Sequence, residues 1–147
     1  MTPPPRAGEV GLAEFQQRLV TLCLQSGNTG LPRKQRDRHI ILKSVVLTLD
    51  RTIHYTEEGV NRKLQSWLRD IGSLIKLDHV ILRRVLVDEE FLGRSQDGSR
   101  YWVATLSRHQ LPFAPAIDDL DVPQLVALGR ERIERRKQEY LGWRGGG

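Results

Sequence analysis

The stretch of residues 77–102 constrains the fold more than any other part of this sequence. Apolar residues at helical spacing begin after Asp78, include the adjacent pair Arg83–Arg84 and continue to about Glu90. A short hairpin is predicted next, with its turn at Asp97-Gly98, because glycine readily adopts the positive φ that a tight turn needs. A helix followed by a basic two-stranded ribbon is the second half of a winged helix-turn-helix. The sequence therefore predicts an α+β fold with a winged helix-turn-helix core.

Composition and periodicity divide the chain into five parts. Residues 1–8 are rich in proline and are predicted to be disordered. Apolar residues three and four apart predict an N-terminal helix within residues 9–26. The winged-helix domain is predicted at residues 31–104, a linker rich in proline and aspartate at 105–121, and a charged C-terminal helix at 122–141.

Each of the two flanking helices carries an apolar stripe that should be buried. The residues predicted to be buried are Leu12, Phe15, Leu19 and Leu22 in the first helix and Val126 and Ile133 in the second. The stripe of the first helix could cover the core of its own domain or pair with a second copy of the chain. We expect a homo-oligomer, most simply a homodimer held together by the flanking helices.

Local signals also predict element boundaries within the central domain. A dense apolar helix is expected from His39 to Leu49, and a short extended segment is expected at residues 53–55. Thr56 is a good N-cap for the following helix, because its side-chain oxygen can accept a hydrogen bond from a free backbone N–H group. Residues 69–77 are predicted to form a short helix or a loop that packs on the core.

Composition and charge are those of one soluble domain with appendages. The 147 residues carry a net charge of +5, and residues 31–104 hold 14 basic and 10 acidic side chains. A basic domain is compatible with a nucleic-acid partner, although many enzymes are equally basic. The single cysteine, Cys23, cannot form an internal disulfide, and the sequence shows no signal peptide and no membrane-spanning run. We expect a cytoplasmic protein with no membrane contact.

The sequence contains no signature of catalysis or of cofactor binding. Its four histidines, at positions 39, 54, 79 and 109, do not lie at metal-ligand spacing with another His, Cys, Asp or Glu. It has no glycine-rich phosphate loop and no G-x-S-x-G nucleophile motif. These observations predict a protein that is not an enzyme and that uses no metal or cofactor.

The central domain resembles a bacterial family known as the domain of unknown function 2087. The residues that carry the resemblance over 31–103 are Leu31-Pro32, Lys34, Arg38, Tyr55-Thr56-Glu57, Val60-Asn61, Leu64, Asp78-His79, Leu82-Arg83-Arg84, Leu86-Val87-Asp88, Leu92, Arg94, Asp97-Gly98 and Tyr101-Trp102. Members of the family occur alone or fused to helix-turn-helix repressor domains. The resemblance therefore implies a transcription-associated module, and it implies no catalytic residues.

The adjacent pair Arg83 and Arg84 is the first candidate for contact with DNA. On a helical wheel, Arg84 points away from the apolar side of its helix and Arg83 lies on the flank, which suits contact with phosphates or bases. Two other interpretations remain open. Arg84 could pair with Asp88 one turn later, or Val80 and Val87 on the same side could mark a face that another protein covers.

Six further basic residues complete the candidate set. Arg94 and Arg100 flank the hairpin turn and are predicted to lie near one another, an arrangement that favours a phosphate or a carboxylate between them. The run of residues 33–38 supplies Arg33, Lys34, Arg36 and Arg38. This run is predicted to be an arm that contacts the DNA backbone or, alternatively, a solvated segment.

Two functions are compatible with these patterns. One is a transcription regulator that binds duplex DNA through its winged-helix domain. The other is a protein-interaction or dimerisation module of winged-helix shape that does not touch DNA. A continuous positive face joining the candidate residues would favour DNA, whereas an apolar patch around Val80 and Val87 would favour a protein partner.

Overall fold

Five α-helices and one two-stranded antiparallel sheet make up the described part of the chain. The computed structural model describes residues 4–25, 27, 29–105 and 107–145. In chain order the elements are α1 (Leu12–Leu24), α2 (Gln35–Val46), α3 (Glu57–Asp70), α4 (His79–Asp88), β1 (Leu92–Arg94), β2 (Tyr101–Val103), a 3₁₀ turn (Pro115–Asp119) and α5 (Val122–Gly145). The mixed α+β prediction is confirmed. No described helix is long and apolar enough to cross a membrane.

The hairpin forms where the sequence predicts it. Strand β1 pairs with β2 so that Arg94 lies opposite Tyr101, and Gly98 in the turn has a φ of +74°. Tyr55 joins the same ribbon through one antiparallel bridge, in which the backbones of Tyr55 and Tyr101 exchange N–H···O bonds of 2.7 and 2.9 Å. The extended segment predicted at residues 53–55 is thus reduced to a single bridging residue.

Side-chain caps fix the starts of α3 and α4. The hydroxyl of Thr56 accepts a hydrogen bond from the N–H of Gly59 at 3.0 Å, and the carboxylate of Asp78 accepts one from the N–H of Val80 at 2.6 Å. Both satisfy backbone donors that a helix N-terminus leaves free. The predictions that Thr56 and Asp78 begin these helices are confirmed.

Helix α2 differs from its predicted bounds, because it begins at Gln35 and ends at Val46 rather than running from His39 to Leu49. An acidic residue, Asp37, explains why α2 begins earlier than predicted. Asp37 lies in the first turn, where the helix dipole favours a negative charge, and it accepts two hydrogen bonds from Arg18 of α1. Most of the basic run is therefore the first turn of a helix and not an extended arm.

A single hydrophobic core joins the flanking helices to the central domain. Of the residues predicted to be buried, Phe15, Leu19, Leu22 and Val126 are buried, whereas Leu12 and Ile133 are half-buried. Helix α5 approaches α1 closely at Gly129, where a Cβ atom would lie 2.9 Å from a methyl group of Val20. The stripe of α1 thus covers the core of its own chain.

The segments predicted to be a disordered N-terminus and a linker also contact this core. Val10, which was predicted to belong to the N-terminal helix but precedes the start of α1, forms a parallel bridge with Phe113, and Phe113 and Ile117 are buried. Arg6 donates a hydrogen bond to the Phe113 carbonyl at 3.0 Å. Residues 1–3 of the predicted disordered N-terminus lie outside the described residues. The interval 105–121 therefore helps to seal the core, apart from residue 106, which is not described.

The interval between α3 and α4, predicted as a short helix or a loop, is a turn with its apolar residues inside. Ile71 and Ile75 are buried. Gly72 lies against the indole of Trp67, and a Cβ atom at that position would be only 2.1 Å from a ring carbon. A larger side chain would have to displace a buried tryptophan, so the tight passage from α3 to α4 requires glycine here.

Candidate nucleic-acid interface

A cleft of about 320 Å³ lies between α4 and the hairpin. Glu57, in the first turn of α3, also lines it. Its lining residues are Glu57, Val80, Arg83, Arg84, Val87, Asp88, Arg94, Asp97, Gly98 and Tyr101. The fold therefore brings three of the eight predicted site residues, Arg83, Arg84 and Arg94, to the walls of one cavity.

The end of α4 sets the direction in which the hairpin leaves the helix. Glu90 has a φ of +62°, and the N–H of Phe91 reaches back to the Leu86 carbonyl at 2.8 Å while the N–H of Glu90 reaches that of Val87 at 3.1 Å. These two bonds form a Schellman motif with a glutamate in the left-handed position, where glycine is usual. The motif places β1 directly beside the exposed side of α4.

Arg83 ties α4 to its neighbours. Its side chain is mostly buried and lies with Nη1 2.6 Å from Oδ1 of Asn61 and 3.3 Å from a carboxylate oxygen of Glu57. Its guanidinium also stacks over the ring of Tyr101, 5.5 Å from the centroid. These contacts satisfy much of the hydrogen-bonding and electrostatic capacity of Arg83 within the protein, so its main effect is to position α4.

Arg84 and Arg94 have more capacity to bind a ligand. Arg84 is exposed, and within the part of the chain that the structure describes it forms no ion pair, so the alternative in which it pairs with Asp88 is not found. Arg94 donates from Nε to the hydroxyl of Tyr101 at 3.3 Å. Its guanidinium lies over Gly98, where a Cβ atom would be 2.5 Å from Nη2. Gly98 therefore serves both the turn and the placement of Arg94.

Three acidic residues line the cleft: Asp88 is exposed, whereas Glu57 and Asp97 have partners within the protein. Glu57 lies beside Arg83, and Asp97 accepts hydrogen bonds from the hydroxyls of Ser95 and Ser99. The bonds to Ser99, followed by the bond to Ser95, lower the pKa of Asp97 to about 2. This carboxylate is ionised at neutral pH, and its task is to hold the turn that carries Arg94.

Arg100, which the sequence predicted to lie near Arg94 across the hairpin, is not among the residues that line the cleft. The register places Tyr101 opposite Arg94, while the backbone of Arg100 exchanges hydrogen bonds with Ser95. Because side chains alternate along an extended strand, Arg100 and Arg94 point to opposite faces of the ribbon. Arg100 is exposed.

The basic run of residues 33–38 is divided by its contacts. Arg36 forms two hydrogen bonds with the carboxylate of Glu14, at 2.5 and 2.6 Å, and Arg38 forms two with that of Glu89, at 2.8 and 3.0 Å. The hydrogen bond from Arg36 is the main cause that lowers the pKa of Glu14. Both arginines thus join elements of the fold. Arg33 and Lys34 remain exposed.

Helix α4 also exposes apolar side chains that the candidate set did not include. Val80 is 39% exposed and the adjacent Ile81 is 49% exposed, and Leu74 before the helix is 40% exposed. The sequence pointed to Val80 and Val87 on this side, and Val87 is half-buried. The surface around Arg84 is therefore partly apolar, and Arg84 and Arg94 add exposed positive charge to it.

Beneath the C-terminal end of α4, a buried histidine links three segments of the chain. Nδ1 of His39 accepts a hydrogen bond from the N–H of Leu111 at 3.2 Å, and Nε2 lies 3.1 Å from the Glu89 carboxylate. An imidazole that accepts at Nδ1 is neutral and carries its proton on Nε2. Burial lowers the pKa of His39 and outweighs the opposite effect of Glu89. Burial also raises the pKa of Glu89, but the hydrogen bonds and the electrostatic attraction from Arg38 and His39 together lower it by more.

We expect the free energy of unfolding to fall as the pH drops below about 6.5, the pKa of an unperturbed histidine. Because the pKa of His39 is lower in the folded chain, its contribution is complete above the unfolded value and is lost as the pH falls through the folded value. The variant His39→Asn keeps an acceptor for Leu111 and should lose this dependence. Denaturant titrations at pH 7.5 and 5.5 measure the free energy of unfolding of the wild type and of the variant. If the free energy of unfolding changed equally with pH in both proteins, the pH dependence could not be assigned to His39.

Comparisons with known proteins agree with the resemblance noted in the sequence. The model of a family described as "Uncharacterized protein conserved in bacteria (DUF2087)" matches residues 29–103. No curated protein and no solved structure matches the chain. The matched interval runs from before α2 to the end of β2 and contains every residue that lines the cleft. Among the described residues, no group of His, Cys, Asp and Glu side chains is arranged to hold a metal ion.

Proposed function

The chain belongs to the DUF2087 family of bacterial proteins, and on that premise we propose that it is a transcription regulator that binds duplex DNA through a winged-helix domain. The observation that carries the proposal is the pair of exposed guanidiniums of Arg84 and Arg94, one on a helix and one on the adjoining ribbon, at the same cleft. A regulator of this kind acts in the bacterial cytoplasm, where the chromosome lies.

The order of the elements supports a winged helix. Helix α2 is followed by the bridging residue Tyr55, then by α3, α4 and the β1–β2 hairpin. In a winged helix-turn-helix with this order, α4 is the helix that enters the major groove and the hairpin is the wing beside it. Arg83 connects α4 to Asn61 of α3 and to Tyr101 of the hairpin. It thereby fixes the orientation of the hairpin relative to α4, the two elements proposed to contact DNA.

The proposed contact surface is smaller than the eight basic residues that the sequence suggested. Arg84 faces the groove from α4, and Arg94 and Arg100 meet phosphates from the two faces of the wing. Arg33 and Lys34 lie before α2 and can extend the contact. Val80 and Ile81 offer apolar surface to thymine methyl groups, a contact that major-groove helices use. Arg36 and Arg38 act within the fold.

A second candidate function is supported by a different observation. Val80 and Ile81 are exposed in the first turn of α4, and Leu74 is exposed in the turn that precedes the helix. Apolar side chains grouped on a surface are also typical of a protein interface. In this alternative the winged helix binds another protein through α4, and Arg84 contributes to the rim of that interface.

Salt-dependent binding separates the two functions. We expect the chain to bind a mixed-sequence duplex of about 20 base pairs in roughly 50 mM salt, where even non-specific electrostatic binding is measurable. Each phosphate contact contributes about −0.9 to the slope of log affinity against log salt concentration. Three or four contacts should therefore give a slope of roughly −3 to −4. Fluorescence anisotropy of a labelled duplex gives the slope. No binding in 50 mM salt would leave the protein-interaction module as the better account.

A further inference from the structure

Helix α5 is much longer than the surface it covers. Its 24 residues extend for about 36 Å at 1.5 Å per residue. The first two turns pack on the core through Val122 and Val126, and Arg130 donates a hydrogen bond to the Asp70 carbonyl at 2.6 Å. Beyond Ile133, every residue of α5 whose burial is described is exposed, and Trp143 near the end is 79% exposed.

A groove of about 580 Å³ runs between α1 and the first half of α5. Val20 of α1 and Leu125, Leu128 and Ile133 of α5 supply its apolar surface, and Arg132 is among its polar lining residues. Leu128 is 46% exposed. Within one chain, α5 therefore carries both an open groove and a projecting segment with a large apolar side chain.

The groove and the projecting segment share one side of α5. Leu125, Leu128, Arg132, Glu139 and Trp143 are separated by three, four or seven positions, so they form one stripe along the helix. Leu141 lies on the opposite side, because it is about 160° around the helix from the stripe at 100° per residue. The stripe begins in the groove and ends at Trp143 without changing direction.

We propose that this stripe is the contact between two copies of the chain, with the two α5 helices antiparallel about a two-fold axis. An antiparallel register centred between positions 135 and 136 places Leu128 of one copy opposite Trp143 of the other. The same register places Arg132 opposite Glu139 of the second copy. Each projecting segment then fills the groove of the other copy, and every contact occurs twice, as a two-fold interface requires.

The Leu128–Trp143 contacts and the Arg132–Glu139 pairs, each formed twice, favour a second copy as the occupant. The pairing matches apolar with apolar at both ends and a positive with a negative side chain between them, and both halves of every match are on the same helix. The same register brings Arg135 of one copy near Arg136 of the other at the axis. These like charges lie on the two flanks of the stripe, from where long side chains reach water. A second copy would also give the projecting part of α5 the tertiary packing from which most helical stability in proteins comes.

Sedimentation of the full chain without DNA tests the pairing. The wild type should be a dimer at micromolar concentration. Removing a buried interface tryptophan with Trp143→Ala should raise the dissociation constant about 30-fold or more. The matched control is Leu141→Ala, which changes an apolar residue near the same end of α5 but on its opposite side, where Leu141 is 65% exposed. This control should leave the dissociation constant of the dimer unchanged. The exposed positions leave folding unaffected, which circular dichroism checks.

A charge exchange tests the register itself. Arg132→Glu and Glu139→Arg should each weaken the dimer about tenfold or more, because each places like charges opposite one another. The double variant restores opposite charges and should return the dissociation constant close to that of the wild type. A monomeric wild type at about 100 µM, a dimer indifferent to all three changes, or a double variant weaker than both single variants would each overturn the proposal.

Discussion

The double variant Arg84→Ala/Arg94→Ala is expected to bind duplex DNA on the order of 10- to 100-fold more weakly than the wild type in 0.1 M salt. The two guanidiniums are the cleft arginines least engaged by the protein itself. The salt slope should become shallower by about 1.8, since each lost phosphate contact removes about 0.9. Anisotropy titrations at several salt concentrations measure both effects.

A control with the same loss of charge makes this result specific. Arg6→Ala/Lys137→Ala also removes two positive charges, but both residues are exposed and neither lines the cleft. Its affinity should change by no more than about threefold, because distant exposed charges are screened within roughly 10 Å. Equal losses in the two double variants would mean that only net charge matters, and the cleft would no longer be the site.

Replacing Leu82 by alanine should lower the free energy of unfolding by about 2–5 kcal/mol, the range for a buried leucine whose loss leaves a cavity. Leu82 is completely buried and anchors α4 to the core. The neighbouring Ile81 is 49% exposed, and Ile81→Ala should cost less than about 1 kcal/mol. Urea denaturation of both variants checks the difference.

The comparison also separates folding from recognition. Ile81→Ala should fold normally and still reduce binding if the start of α4 touches a partner, whether DNA or protein. Leu82→Ala should lose affinity only as far as it loses folded protein. Similar destabilisation by both substitutions would contradict the orientation of α4 on which the candidate interface depends.

Local chemistry made much of the central domain predictable. Asp78 and Thr56 cap helices because their side-chain oxygens reach backbone donors two or three residues away. Asp97-Gly98 turns the hairpin because the required φ is accessible to glycine. Burial of Phe15 and Leu19 followed from helical periodicity alone. Each of these features depends on residues that are near one another in sequence.

The roles of the arginines depended on contacts that no local pattern encodes. Arg36 pairs with Glu14, 22 positions away, and Arg38 pairs with Glu89, 51 positions away. Arg83 reaches Asn61 only after α3 and α4 pack together. A sequence shows that these side chains are charged, but only the packing of the helices shows which of the charges are already neutralised.

The helix bounds and the flanking segments were predicted less well for a related reason. The basic run at residues 33–38 lacks an apolar stripe, yet α1 supplies Glu14 and Arg18 as partners for it, and α2 begins at Gln35. The proline and aspartate residues at 105–121 suggested a linker, but Phe113 and Ile117 in this interval are buried in the core. Tertiary contacts override local propensity in both places.

Chemical-shift mapping of the intact protein with a mixed-sequence duplex tests the DNA-binding face most directly. In about 50 mM salt, backbone amide shifts should be largest in α4 and in the β1–β2 hairpin, and the arginine side-chain signals of Arg84 and Arg94 should move with them. Signals from α1 and from the first half of α5 should stay in place. Shifts confined to α5, or an unchanged spectrum at saturating duplex, would contradict the assignment of the α4–hairpin cleft as a DNA-binding surface.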